Sequence, residues 1–172
     1  MKTKNLLVSM YVIALVVITS IYSCNNDNST SIEDIDKNTI SGTITFVDTN
    51  FLTDTTQGYY SVDAYATWPP TGNASSSLKL KPAKQSDNTY KAEYKFTSMP
   101  SGSYVITSAY IKLPYIVGSS VLGLGTYGCD TSHYTGCIYN PTIQKAIIKN
   151  DFGVENINFK SWADTSKNIY RF

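Results

Sequence analysis

The side chains of this sequence that could do chemistry fall into three groups. His133 is the one histidine of the chain; Ser132 is next to it and Asp130 is close by, so a nucleophile, a base and an orienting carboxylate can all be named. Catalytic triads are assembled from separated elements, and neighbours within a tight loop rarely point at one another. The stretch therefore reads as a surface loop, and no catalytic residue is assigned. Asp48, Asn50 and Asp54 offer oxygen ligands that would suit calcium, but both the ligand spacing and the glycine of an EF-hand loop are missing. A solvated turn closed by Asx hydrogen bonds accounts for them, so no metal or cofactor is expected.

The third group is aromatic. Fourteen tyrosines exceed the needs of a small core, and Tyr59, Tyr65, Tyr115, Tyr127, Tyr134 and Tyr139 fall outside clean inward positions. Tyrosine offers a rigid apolar surface with a polar tip, which suits recognition of a partner or a sugar face. Tyr115, Tyr127, His133, Tyr134 and Tyr139 are the candidate ligand contacts. The competing account is that half-exposed strands use tyrosine freely.

Cys129 and Cys137 bracket His133. In an oxidising compartment they would pair and close a short loop, a stabilisation of about 2.5 kcal/mol in the chain-entropy account. The start of the chain points to such a compartment. Lys2 and Lys4 precede a nearly uninterrupted apolar run from Leu6 to Tyr22, the layout of an export signal. The run is long enough to rival a membrane-spanning helix, so a signal anchor and an ordinary secretory signal compete as readings. Ile21-Tyr22-Ser23-Cys24 resembles a bacterial lipobox: an aliphatic residue three before the cysteine, a small one just before it, then the cysteine itself. On that resemblance residues 1–23 are a lipoprotein signal peptide, cleavage precedes Cys24, and Cys24 is acylated. Each buried methylene of the acyl chains would contribute about 0.8 kcal/mol of anchoring. The expected location is the bacterial cell envelope, on the outer membrane, with the membrane as partner through the N-terminal lipid.

Removing Lys2 and Lys4 from the 14 basic residues leaves them one short of the 13 acidic ones. A mature net charge of about −1 gives no field to steer nucleic acid, which is excluded as a partner. An envelope protein or a glycan fits better. Residues 24–38 are polar, lack aromatics and read as a flexible tether. Residues 39–172 are enough for a single core.

Those residues alternate with period two. Strands are expected over Ile40–Val47, Tyr59–Trp68, Ser77–Lys81, Thr89–Phe96 and Ser103–Lys112. A final hairpin is expected from Thr142–Lys149 and Val154–Lys160. Pro69-Pro70-Thr71-Gly72 must turn, since consecutive prolines cannot continue a ladder. Met99-Pro100-Ser101-Gly102 turns sharply into the strand led by Tyr104. Leu113–Asn140, with its proline, glycines and two cysteines, reads as a long inserted loop with room for a small hairpin. The expected fold is all-β: a seven-stranded antiparallel β-sandwich with a long disulfide-closed loop insert.

Ile40-Ser41-Gly42-Thr43-Ile44, the aromatic-rich strand before the turn, Met99-Pro100-Ser101-Gly102-Ser103-Tyr104-Val105-Ile106, and the closing Ile157-Asn158-Phe159 together resemble the carboxypeptidase regulatory-like domains. These belong with the transthyretin-like (prealbumin-like) and Cna-B-type β-sandwiches. Gly58 alone stands where that family has a glycine pair, and the family normally lacks the 28-residue insert. The resemblance implies a non-catalytic stalk, spacer or adhesion module. Some Cna-B-type domains carry an isopeptide bond, for which Lys37, Asn156, Asn158 and Glu93 would be the participants. Lys37 precedes the first strand and Glu93 sits on the wet face, so solvated side chains are expected instead. The expected function is that of a lipid-anchored envelope binding or structural module without catalytic activity, the alternative being a carbohydrate-binding surface lipoprotein accessory to glycan uptake.

Overall fold

A computed structural model describes residues 36–47, 56–117, 120–129 and 143–162. The chain divides into Met1–Asp34 and Ile35–Phe172, and the described residues all belong to the second unit. The leader, Cys24 and most of the expected tether lie outside them.

Among the described residues nine strands occur in chain order: β1 (Ile40–Phe46), β2 (Gly58–Tyr65), β3 (Ser76–Lys79), β4 (Ala83–Lys84), β5 (Tyr90–Phe96), β6 (Gly102–Lys112), β7 (Val121–Thr126), β8 (Ala146–Ile148) and β9 (Phe159–Ser161). One sheet has the order β4-β5-β1-β9. The other has the order β3-β2-β6-β7, with β8 also paired to β6. No helix occurs among the described residues, so the all-β expectation holds.

The first sheet is built by alternation. In β5, Ala92, Tyr94 and Phe96 are buried while Lys91, Glu93 and Lys95 are exposed. Antiparallel register sets Ile40 against Phe96, Gly42 against Tyr94 and Ile44 against Ala92. Each side of β1 and β5 thus keeps one character, because a period of two places alternate side chains on opposite faces. Phe46 meets Tyr60 of the other sheet edge-on at 5.1 Å between centroids, and Tyr60 lies 5.1 Å from Tyr110. Residues of both sheets share one buried cluster. Four tyrosines, Tyr60, Tyr94, Tyr104 and Tyr110, belong to it, so part of the aromatic surplus is structural. Each large apolar side chain moved out of water there contributes about 1.5–3 kcal/mol.

The second sheet is organised by β6, the longest strand. β2 pairs along one edge of it; the other edge is shared by β7 over Thr107–Ile111 and β8 over Gly102–Tyr104. The turn that launches β6 is fastened by the buried Tyr104, whose hydroxyl donates to the Pro100 carbonyl at 2.9 Å. This is the geometry of a tyrosine corner, in which a strand's leading tyrosine bonds back to the backbone just upstream. At the same pole the Asn38 amide donates to the Asp151 carbonyl at 2.8 Å, the Thr39 hydroxyl donates to the Asp36 carbonyl at 2.7 Å, and Asp36 pairs with Lys95. Contacts with the fold thus begin ahead of Thr39.

Four expectations are corrected. Residues 113–140 are not one inserted loop: Val121–Thr126 is a full member of the second sheet, with Leu122 and Leu124 in the core. Gly125, which signals a turn in sequence, sits where another backbone comes close; a Cβ there would stand 2.5 Å from the Lys160 carbonyl oxygen. The strand count among the described residues also rises from seven to nine, since Ala83–Lys84 pairs with β5. Strand β2 ends at Tyr65 rather than Trp68.

The fourth correction is the final hairpin. Asn150 and Asp151 turn the chain with φ of 53° and 65°, but the two arms separate. β8 joins the second sheet, while the following segment runs parallel to β1 in the first. It is held by amides of Ser41, Val154 and Ile157 donating to carbonyls of Val154, Thr39 and Ser41 at 2.8–3.0 Å. The sheet is therefore mixed rather than antiparallel. Gly42 makes room for this path: a Cβ there would lie 2.2 Å from the Ile157 carbonyl oxygen. The same oxygen accepts the Tyr94 hydroxyl at 2.7 Å.

Gly42→Ala should therefore destabilise the fold by about 1–3 kcal/mol, the usual cost of overpacking a filled interior. Urea denaturation followed by fluorescence measures it; an unchanged midpoint would show that the backbone at Ile157 can yield.

Candidate functional site

Outward-facing residues of the first sheet form a cross-strand row. Thr45 of β1 stands opposite Lys91 of β5 on one side and Lys160 of β9 on the other. Strands lie about 4.8 Å apart, so the two lysines are spaced roughly 10 Å apart at their backbones with the threonine between them. One residue pair along, Thr43 faces Glu93. The Asn158 side chain reaches across, its Oδ1 accepting the Thr43 amide at 2.7 Å.

All of these residues except Glu93 line an open groove of about 680 Å³. Thr43, Thr45, Lys91, Asn158, Phe159 and Lys160 form the part contributed by the first sheet. Tyr127, Gly128 and Cys129, where the chain leaves β7, supply another part together with Gln144. Tyr127 also packs against the core, and its amide donates to the Ile106 carbonyl at 2.9 Å, so the ring is placed by the second sheet. The volume falls within the range of about 300–1,000 Å³ typical of small-molecule sites.

The polar lining is biased toward donors. Because the Asn158 oxygen is committed to a backbone N–H, its amide nitrogen remains to donate. Lys91 and Lys160 only donate. Among the described residues, neither Asp nor Glu lines the groove. Such a surface complements a ligand rich in oxygen acceptors.

The second sheet carries a different cluster on its outer face. Asp63 of β2 lies opposite Ser77 of β3 and Thr107 of β6, and Thr107 in turn lies opposite Thr126 of β7. Asp63 is 8% exposed. The Ser61 hydroxyl donates to its Oδ2 at 2.9 Å and the Ser77 hydroxyl to its Oδ1 at 2.5 Å. Burial pushes the carboxyl above the ordinary aspartate value, and the two serine hydroxyls oppose the rise. On the same face, burial and then the Asp63 charge, with a further contribution from Tyr115, push the Tyr65 hydroxyl up to about 12. Thr126 Oγ1 is buried without a hydrogen-bond partner. The Lys79 ammonium lies 4.7 Å from the centre of the Tyr59 ring.

Of the residues singled out in sequence, the structure places Tyr127 and Cys129 in the groove. Tyr115 is 56% exposed beyond the end of β6 and is not a groove residue. His133, Tyr134, Tyr139, Cys137, Asp130, Ser132, Asp48, Asn50 and Asp54 lie outside the described residues. Among the described residues no cluster of three or more His, Cys, Asp or Glu is placed to hold a metal ion. For the isopeptide geometry, Lys37 and Glu93 are exposed and Asn158 is engaged with Thr43. Sequence reasoning missed the Lys91–Thr45–Lys160 row, whose two halves meet only through the parallel register. It also passed over Asp63, although a lone carboxylate between Val62 and Ala64 of an apolar strand was a signal.

The raised Asp63 value has a definite sign in stability. The folded state holds the proton more tightly than the unfolded chain, so stability falls as pH rises from the ordinary aspartate value through the raised one, and is level above it. Asp63→Asn should remove that slope. Urea midpoints of wild type and Asp63→Asn across the acid range check this; parallel curves would show that Asp63 does not contribute.

In comparisons with known proteins, the chain matches no family model, no curated protein and no solved structure.

Proposed function

We propose that this chain is a lipid-anchored binding or structural module of the bacterial envelope, without catalytic activity, that presents the groove on its first sheet to a ligand. In this reading Cys24 is acylated and holds the domain on the outer membrane. The two sheets form a transthyretin-like sandwich, and Cys129 pairs with Cys137 to close a loop beside the groove. The observation that carries the reading is the convergence of Tyr127 and Cys129 on one groove. One of the aromatic candidates and one of the two export-compartment cysteines thus line the same groove.

A second reading, a carbohydrate-binding lipoprotein serving glycan uptake, is favoured by the chemistry of the lining. Threonine hydroxyls, the amides of Gln144 and Asn158, and the ring of Tyr127 are groups that bond sugar hydroxyls and cover an apolar sugar face.

Mass spectrometry of the chain recovered from membranes should find residues 1–23 removed and acyl chains on Cys24. A mature N-terminus elsewhere, or an unmodified cysteine, would refute the anchor. A glycan array probed with the full chain tests the second reading: Tyr127→Ala should abolish any signal, and binding that survives this change would place the ligand elsewhere.

A further inference from the structure

We infer that the segment Leu113–Val117, which follows β6, dips into a lipid surface and gives the folded domain a membrane contact of its own, additional to the acyl chains on Cys24; the choice of lipid rests on the anchor reading above. Leu113, Pro114, Tyr115, Ile116 and Val117 are five consecutive exposed residues. Exposure of the large side chains climbs along them, from 47% at Leu113 through 56% and 59% at Tyr115 and Ile116 to 85% at Val117. The nearby hydroxyl goes the other way. Ser120 is buried, and its Oγ accepts the Ile116 amide at 2.6 Å and reaches the Pro114 carbonyl at 3.4 Å. The backbone is clamped as well: the Leu113 amide donates to the Gln57 carbonyl at 2.9 Å, the Lys112 amide to the Ser120 carbonyl at 2.8 Å, and the Ser120 amide to the Ile116 carbonyl at 3.1 Å. A hydroxyl inside with aliphatic side chains outside inverts the arrangement that water selects, and an exposed apolar cluster of this kind marks an interaction surface.

Charge and order along the chain favour a lipid surface over a protein pocket. No charged residue occurs from Leu113 to Cys129, and Lys112 stands just before the segment. From Lys112 to Val117 the chain offers an ammonium, an apolar stem, a tyrosine ring and two aliphatic side chains, in order of rising exposure. A bilayer presents the complementary order of phosphate, interface and hydrocarbon: lysine extends its ammonium toward headgroups, tyrosine favours the interface, and aliphatic groups gain by leaving water. Hydrocarbon accepts no hydrogen bonds, so a segment entering it does best with its backbone polar groups already engaged, as those of Pro114 and Ile116 are by Ser120. A protein interface surrounds its apolar centre with a polar rim, which this segment does not carry. Asp36, the first described residue, follows Cys24 by twelve positions, 36 less 24. At about 3.5 Å per residue the chain cannot carry it more than roughly 42 Å from an acylated cysteine. On the anchor reading a lipid surface is therefore always within reach, and tethering strengthens even a weak second contact.

The test is tryptophan fluorescence of the full chain reconstituted in phosphatidylethanolamine–phosphatidylglycerol vesicles, prepared with and without bromine on the acyl chains. The probe is Val117→Trp, and the control is Ile147→Trp, an exposed apolar position on β8. The signal of the chain's own two tryptophans is read from the unsubstituted protein and subtracted. Emission from position 117 is expected to shift to the blue on vesicles and to lose intensity when the lipids are brominated, while emission from position 147 does neither. Ile116→Asp in the Val117→Trp background should abolish both the shift and the quenching, with an unchanged circular dichroism spectrum verifying the fold. Emission at 117 that matches 147 on acylated chains overturns the lipid contact, turns the segment over to a protein partner and leaves the anchor reading intact. Quenching at 117 alone on chains whose Cys24 mass spectrometry finds unmodified upholds the contact and overturns only the anchor. Absence of both acylation and quenching overturns the two together.

Discussion

The carbonyl of Ile157 lies against Gly42 and accepts the Tyr94 hydroxyl at 2.7 Å, and much of the molecule depends on that contact. A residue with a side chain at position 42 would push the Val154–Asn158 segment away from β1. With glycine there, the segment runs alongside β1, bonds to it through Thr39 and Ser41, and delivers β9 in parallel register. That register sets Lys160 beside Thr45 and brings Asn158 to the Thr43 amide. A close approach in the interior therefore determines which side chains share a groove outside.

The two sheets are joined as well as stacked. The Trp162 amide donates to the Leu124 carbonyl at 2.9 Å, and the Ser108 and Ser161 hydroxyls bond at 2.9 Å in a buried position. These contacts tie β9 of the first sheet to β6 and β7 of the second. Tyr127, positioned by the second sheet, and Lys160, positioned by the first, consequently line one groove. A site held by regular strands of two sheets is placed more firmly than one carried on a loop, since each side chain's direction is set by hydrogen-bonded register.

Polar groups in the second sheet obey a different economy. Asp63 is buried with one serine hydroxyl on each oxygen, an arrangement that satisfies its acceptors without neutralising its charge. Hydroxyls are weaker partners than an ammonium, so burial prevails and the carboxyl holds its proton more readily. Tyr65, on the same face, inherits part of that field.

Local pattern was enough for much of this. The alternation of β5, the apolar even positions of β1, the turn at Pro100–Gly102 and the core roles of Tyr104, Ile157 and Phe159 were all readable, because period two and turn chemistry act over a few residues. So was the interest of Tyr127 and Cys129. Partner choice was not readable. Val121–Thr126 reads as loop because its Gly125 is explained only by the Lys160 backbone pressing against it. The arms around Asn150-Asp151 read as a hairpin because a turn signal does not say whether its strands then pair with each other. The sequence by itself determined which residues face inward and where the chain bends. Only the tertiary structure decided which strands are neighbours, and with that the row of Lys91, Thr45 and Lys160, because pairing between distant strands depends on the space and hydrogen bonds the rest of the fold leaves open.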